Sequence, residues 1–342
     1  MFRNVKWRSI SLLLACCAAG IPAIAWAQAN VQAELDALVK AAKAEGEINF
    51  YSGVTENVAK RTGDAFAAKY GVKYSFIRLA GVQTERRFGA EAEAGTFAVD
   101  FYMVASAVPF AEDAIKKGWV EPIAQAGIPA IRSGEFPDRF VTGPTAIVQV
   151  APWGIAYNTE KVKGADIPKD WPDLLNPKFK GQFLLPDPRA SNSYSDHWGI
   201  IIDRYGEDFL VKLRELNPRQ YPSGVPSTNA LGAGEGAVQA PAVSAQISAT
   251  RDKGAPIGLV IPSYATGVEM QIILTHRSKA KHPAAARLFA HFVMTPEGNK
   301  IFNSEPGSIS VFDTANLPKE YVSPKPGALA RRDLITRLLG FQ

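Results

Sequence analysis

Two extended runs, each broken by proline and glycine, constrain this chain more than any other feature. The first is AIVQVAPWGIAYNTEKV (146–162), interrupted at Pro152 and Gly154, and the second is IGLVIPSYATGVEMQIILT (257–275), interrupted at Pro262 and Gly267. Proline removes a ladder donor and glycine frees the backbone, so such runs can bend partway along. Blocks of shorter elements lie on both sides of the first run. A chain that leaves one block must come back to it, and the second run supplies the return. The expectation is two α/β lobes facing across a cleft, joined by two extended hinge segments.

The first block alternates strand and helix. Val31, Leu35, Leu38, Val39 and Ala42 fall at helical spacing up to Gly46, and INFYSG (48–53) reads as a buried strand. A helix from Glu56 to Tyr70 follows, then a strand (72–80), a helix (82–95), a strand (99–106) and a helix closed by Gly118. In the second block GQFLLPDP (181–188) and GAVQAPAV (236–243) read as strands, with helices near Ser193–Tyr205 and over 207–216. Strands alternating with helices predict mainly parallel sheets covered on both faces. His282 to Phe292 and onward to Phe302 is helical in spacing, and the tail ends in a last short helix.

The first residues carry Arg3, Lys6 and Arg8, then an apolar stretch, then Ala25-Trp26-Ala27. That order is a secretory signal peptide cleaved after Ala27, with lipid attachment at Cys16 as the rival reading. Both cysteines, Cys16 and Cys17, fall in the removed segment, so the mature chain has no disulfide, thiol nucleophile or cysteine metal ligand. The formal charge of +5 includes three from the leader, which leaves +2. Without a basic run, nucleic acid is not indicated.

Catalytic patterns are missing. The chain has no G-x-S-x-G, H-E-x-x-H or G-x-x-x-x-G-K-[ST]. GAGEG (232–236) superficially resembles a phosphate loop, but it follows a helix and precedes a strand, as a helix stop does. His197, His276, His282 and His291 show no zinc spacing. The reading is a binding protein without a cofactor or resident metal, not an enzyme.

Binding signals recur where strands end and helices begin, the usual ligand position in open α/β sheets. Ser52 closes the first strand, Gln83 and Thr84 open a helix after the second, Ser106 closes the third, and Arg189, Ser191, Asn192 and Ser193 follow the second-lobe strand. Each alone suits a plain cap. Together they favour an anion, because helix starts offer free N–H groups and partial positive charge. Arg189 is read either as a contact to an acidic group or as a surface arginine on its proline turn. At most one of Arg86 and Arg87 can face the cleft. Tyr264 and Trp153 either wall the pocket or pack the hinge.

Several longer stretches now add up. YSGVTENVAKRTGDAFAAKYGVK, RRFGAEAEAGTFAVDFYMVAS, GIAYNTEKV, WPDLLNPKFKGQFLLPDP and HPAAARLFAHFVMTPEGNKIF span nearly the whole mature chain. In this series the sequence resembles the extracellular solute-binding proteins of ABC transporters. Within them it looks like the ferric-iron-binding group, with relatives for thiamine, phosphonates and sugar phosphates. The resemblance implies a type II periplasmic binding protein fold and a monomeric receptor that closes on a ligand and delivers it to an inner-membrane permease. The lobes are expected at 28–150 and 151–262, with 263–342 as the return crossing and C-terminal helices. Ferric-binding relatives carry two adjacent tyrosines after a strand like GAVQAPAV. Here the stretch reads Gln239-Ala240-Pro241-Ala242-Val243, and Tyr194, Tyr205, Tyr221 and Tyr264 are isolated. That departure argues against iron held by paired tyrosines. It leaves ferric iron in a non-standard site as the alternative to a small organic anion.

Overall fold

The structure, a computed structural model, describes residues 21–79, 81–325 and 327–342. Residues 1–20, and with them most of the expected leader and Cys16, lie outside the described residues. Among those described, no helix is long and apolar enough to cross a membrane.

Helix α1 (Ile21–Glu45) ends at Gly46, whose φ of 84° makes the left-handed stop. Strand β1 (Glu47–Ser52), α2 (Glu56–Tyr70), β2 (Lys73–Arg78), α3 (Gly81–Glu93), β3 (Phe101–Ala105), α4 (Val108–Lys116), β4 (Val120–Glu121) and the short α5 (Pro129–Arg132) follow. Strand β5 (Ala146–Pro152) completes this part of the first lobe. The period of two in β1 and β3 sends neighbours to opposite faces. Phe50, Phe101 and Met103 enter one core, while Tyr51, Tyr102 and Val104 enter another. At the centre of the first core Phe289 lies within 5.0 to 5.2 Å, centroid to centroid, of Phe50, Phe66 and Phe101.

The second lobe contains β6 (Gly154–Asn158), β7 (Phe183–Pro186), α6 (Asn192–Tyr205), α7 (Glu207–Glu215), β8 (Arg219–Tyr221), α8 (Gly224–Gly232), β9 (Val238–Ala242), α9 (Ser244–Arg251) and β10 (Ile257–Val260). Trp171, Trp198, Phe183 and Leu210 are fully buried in its main core. Gly234, with φ of 80°, stops the chain after α8, the role expected of GAGEG. The chain then returns through β11 (Tyr264–Ala265) and β12 (Gly267–Thr275) to α10 (Pro283–Val293) and α11 (Pro296–Phe302) of the first lobe. It ends with β13 (Glu320–Tyr321) and α12 (Arg332–Leu338).

The first-lobe sheet runs β2-β1-β3-β12-β4, with β5 added on β12, and the second runs β10-β6-β9-β7-β8. Within these two sheets parallel pairing is confined to β1, β2 and β3 in one lobe and to β7, β8 and β9 in the other. The strands entering or leaving a crossing pair antiparallel. A chain that turns back through the hinge runs against the strands it left, so both sheets are mixed.

The break at Pro152 and Gly154 is where the chain changes sheets, since β5 belongs to the first and β6 to the second. The return passes between β10 and β12. A third passage joins these two: β13 pairs in parallel with β11, and α12 then packs Ile335 and Leu339 into the second-lobe core.

Candidate ligand-binding cleft

A cavity of about 1170 Å³, counting its open mouth, lies between the lobes and is lined from both. Gly53, Val54 and Thr55 come from the turn into α2, and Gly81 is the first residue of α3. Ser191 and Ser193 open α6, Ser223 to Val225 open α8, and Val243, Ala245 and Gln246 open α9. Five helix starts therefore converge on one space.

Their capping separates structural from available donors. Ser191 accepts from the N–H of Ser193 and its hydroxyl lies 2.8 Å from that of Ser193. Thr55 before α2, Ser223 before α8 and Val243 before α9 make no side-chain cap. The first-turn N–H groups of those helices keep their hydrogen-bonding capacity and their share of the helix dipole.

The side chains around these donors are mostly apolar, from Val54, Val58, Val104, Ala151, Trp153, Val225, Val268 and Met270. Among the described residues charged lining is limited to Arg78 and Glu305, and Glu305 pairs with Arg61 at 2.8 Å. Arg78, at the end of β2, is exposed and makes no ion pair among the described residues. The one unpaired charge on the described lining is thus positive. Trp153 stacks on Tyr194 with ring centroids 5.2 Å apart, so this tryptophan walls the cleft at the first crossing. Burial holds the Tyr194 hydroxyl in its neutral form, and Gly224 packs so closely that a Cβ there would stand 2.7 Å from that oxygen.

The lobes touch at both flanks. A Cβ on Gly81 would meet the Ser191 hydroxyl at 3.2 Å, and one on Gly307 would meet the Ser244 hydroxyl at 2.1 Å. On the first-lobe side Gln149 donates to Ser308 over 2.6 Å, fixing the loop that carries Gly307.

Among the residues expected at the site, Ser191 and Ser193 line the cleft. Ser52 lies beneath it, fully buried, one residue before the lining Gly53. Ser106 and Asn192 meet across the lobes beside the cavity, where the Asn192 amide approaches the Ser106 carbonyl at 3.5 Å.

The other expected positions stand away from the lining. Thr84 is buried and its hydroxyl donates back to the Leu79 carbonyl of its own helix start, while Gln83 points to solvent. Arg189 grips Asp187 through two of its nitrogens and donates to the carbonyl of Gln342, so it ties the proline turn to the C-terminus. Tyr264 donates to the Ile200 carbonyl and lies under the Arg204 guanidinium, packing the hinge. Arg87 pairs with Glu91 over the Tyr51 ring, and neither it nor Arg86 lines the cleft.

Sequence reasoning missed the starts of α8 and α9, Arg78 and the 305–308 loop. Arg78 was accessible in principle, as a cation at the end of a strand that points to the switch between lobes. The start of α8 follows a strand of three residues, too short for alternation to register.

Two α/β lobes, chain crossings between them and a cleft of helix starts define a two-lobe binding protein. The chain belongs to the bacterial extracellular solute-binding protein family, whose model matches residues 101–328. An uncharacterized Haemophilus influenzae protein is 26% identical over 296 residues, covering 84% of each chain. In structure it is similar to the periplasmic binding protein AfuA of Actinobacillus pleuropneumoniae, solved with exogenous fructose-6-phosphate, at a TM-score of 0.66 and 21% identity over 86% of this chain and 96% of that one. It is similar to iron-bound HitA of Pseudomonas aeruginosa at a TM-score of 0.66 and 18% identity, over 86% and 99%. The type II periplasmic binding protein fold follows from these likenesses.

Proposed function

We propose that this protein is the periplasmic receptor of an ABC importer and that its cleft takes a small organic anion, a carboxylate, phosphonate or phosphate ester, for delivery to an inner-membrane permease. The observation that carries the reading is the convergence of three uncapped helix starts with Arg78 in a cleft whose only carboxylate among the described residues is already paired. Free N–H groups and an uncompensated guanidinium suit the acidic end of a ligand. The Val, Met and Trp side chains suit a compact apolar body, and closure buries both.

HitA is iron-bound, which keeps ferric iron as the competing cargo. The donor set here favours the anion. Among the described residues no three of His, Cys, Asp and Glu gather to hold a metal. Tyr194 is buried with its hydroxyl against Gly224, Tyr221 donates to Glu235 and Tyr264 to Ile200.

A thermal-shift panel of carboxylates, phosphonates, sugar phosphates and ferric citrate tests the assignment on the mature protein. A ligand at a hundred times its Kd adds about 2.7 kcal/mol of stability. Stabilisation by one organic anion class supports the reading. Stabilisation by ferric citrate alone, with a visible charge-transfer band, overturns it.

A further inference from the structure

Beside the cleft, and outside its lining, a polar cluster bridges the lobes. We propose that Glu85 and Ser106 of the first lobe, with Asn192, Asp196 and Arg332 of the second, form a latch that holds the lobes shut without any ligand and makes closure depend on protons.

Three pairs of residues in the cluster meet across the gap. The Ser106 hydroxyl donates to the Asp196 carboxylate. The Asn192 amide reaches both Glu85 oxygens at 3.4 Å and the Ser106 carbonyl at 3.5 Å. On the second-lobe side Arg332 of α12 donates to the Asn192 side-chain oxygen, which turns the asparagine amide toward the first lobe. Ser106 reaches Asp196 from a left-handed backbone, φ 56°, a conformation a non-glycine residue adopts only under strain. Asn192 and Asp196 are 7% and 6% exposed, so opening the lobes would return two polar side chains to water.

This environment suits neutral carboxyls better than ionised ones. Burial pushes Asp196 up to about 6, with Glu269 of β12 adding like charge and Ser106 and Arg332 opposing. Tyr321 of β13 faces the same space and donates to Glu269. Burial pushes Glu85 up to about 7, against the Asn192 bond and the Arg332 charge, with the buried Tyr102 of β3 behind it. In open lobes both carboxyls would sit in water near the ordinary carboxylate range, about 4. A group whose value is raised in the closed form favours closure when protonated. Closure is therefore strongest in acid and weakens as pH rises from about 4 through about 7.

The test uses ligand-stripped mature protein, so a wrong ligand assignment leaves it intact. Small-angle scattering at constant ionic strength should give a radius of gyration near about 20 Å at pH 5, as for a compact chain of this length. That radius should rise between about pH 5 and pH 7 as the closed-to-open ratio falls at least about ten-fold. The double variant Glu85→Gln, Asp196→Asn keeps the hydrogen bonds and should stay compact at pH 8. Arg332→Met should open at lower pH than the natural protein. A radius that does not change from pH 5 to pH 8, or a double variant that opens with the same pH profile as the natural protein, overturns the latch.

Discussion

The backbone N–H of Trp153 donates to the carbonyl of Thr266 across 2.9 Å, binding the outgoing crossing to the returning one. Next to it Gly267 pairs with Pro152, so close that a Cβ on the glycine would meet the Ala151 carbonyl at 2.7 Å. The two crossings thus behave as one ribbon, and the Trp153 ring carries that ribbon into the cleft wall. Trp153→Ala should cost about 3 to 5 kcal/mol in urea unfolding, through lost burial and the cavity left against Tyr194. It should also weaken ligand binding. Trp153→Phe should recover most of both losses.

Gly307 controls how closely the lobes approach. Its φ of 72° strains any side chain, and a Cβ would overlap the Ser244 hydroxyl across the gap. Gly307→Ala should lower ligand affinity ten-fold or more in calorimetry while costing roughly 1 kcal/mol of ligand-free stability.

Arg78 should dominate recognition of the acidic group. Removing one charged hydrogen-bonding partner of a ligand costs about 1.5 to 3 kcal/mol, so Arg78→Ala should weaken binding by about 10- to 150-fold. The ligand-free melting temperature should barely move, because the side chain has no partner among the described residues to lose. Affinity that survives Arg78→Ala would remove this residue from the site.

Arg189 offers the contrasting case. It is exposed and its partners are Asp187 and the C-terminal residue. Arg189→Ala should leave affinity within about two-fold and cost at most about 1 kcal/mol of stability, the usual range for surface pairs.

Acid should destabilise the fold through histidine. His197 is fully buried among Trp153, Trp171 and Trp198, neither ring nitrogen has a hydrogen-bond partner among the described residues, and burial lowers it to about 3. His291 is lowered to about 4, by burial and then by Lys69. The unfolded chain takes these protons near 6.5 and the folded one does not. Stability is complete above about pH 6.5 and declines as pH falls toward 3, by about 2 kcal/mol at pH 5 for His197 alone. Melting temperatures from pH 7.5 to 4.5 should trace that decline, and His197→Phe should flatten part of it. The interlobe carboxyls act with the opposite sign, on closure and not on the cores.

Much of the fold could be read from the residues. Helices ended by Gly46, Gly71 and Gly118 stand where periodicity and glycine placed them, and Pro152 and Gly154 mark the change of sheet. The site was less accessible. Ser191 and Ser193 were found because they follow a long apolar strand, but Arg189 from the same loop turns to Asp187, two residues away. Nothing local distinguishes an arginine satisfied by its neighbour from one without a partner among the described residues, as Arg78 is. The α8 and α9 starts and the Gly307 loop reach the cleft only through tertiary packing, and a linear reading carries no trace of it. The third passage was hidden for the same reason: β13 is two residues long, and its partner lies more than fifty positions upstream.

That third passage also sets the order in which the molecule can mature. The second-lobe core closes over Ile335, Leu339 and Phe341, within the last eight residues of the chain, and the first-lobe sheet waits for β12 before β3 and β5 are joined. Each lobe is thus completed by a stretch of chain that follows the other lobe in sequence. Long-range pairings of this kind fold slowly. The two lobes therefore mature as one unit, not one after the other.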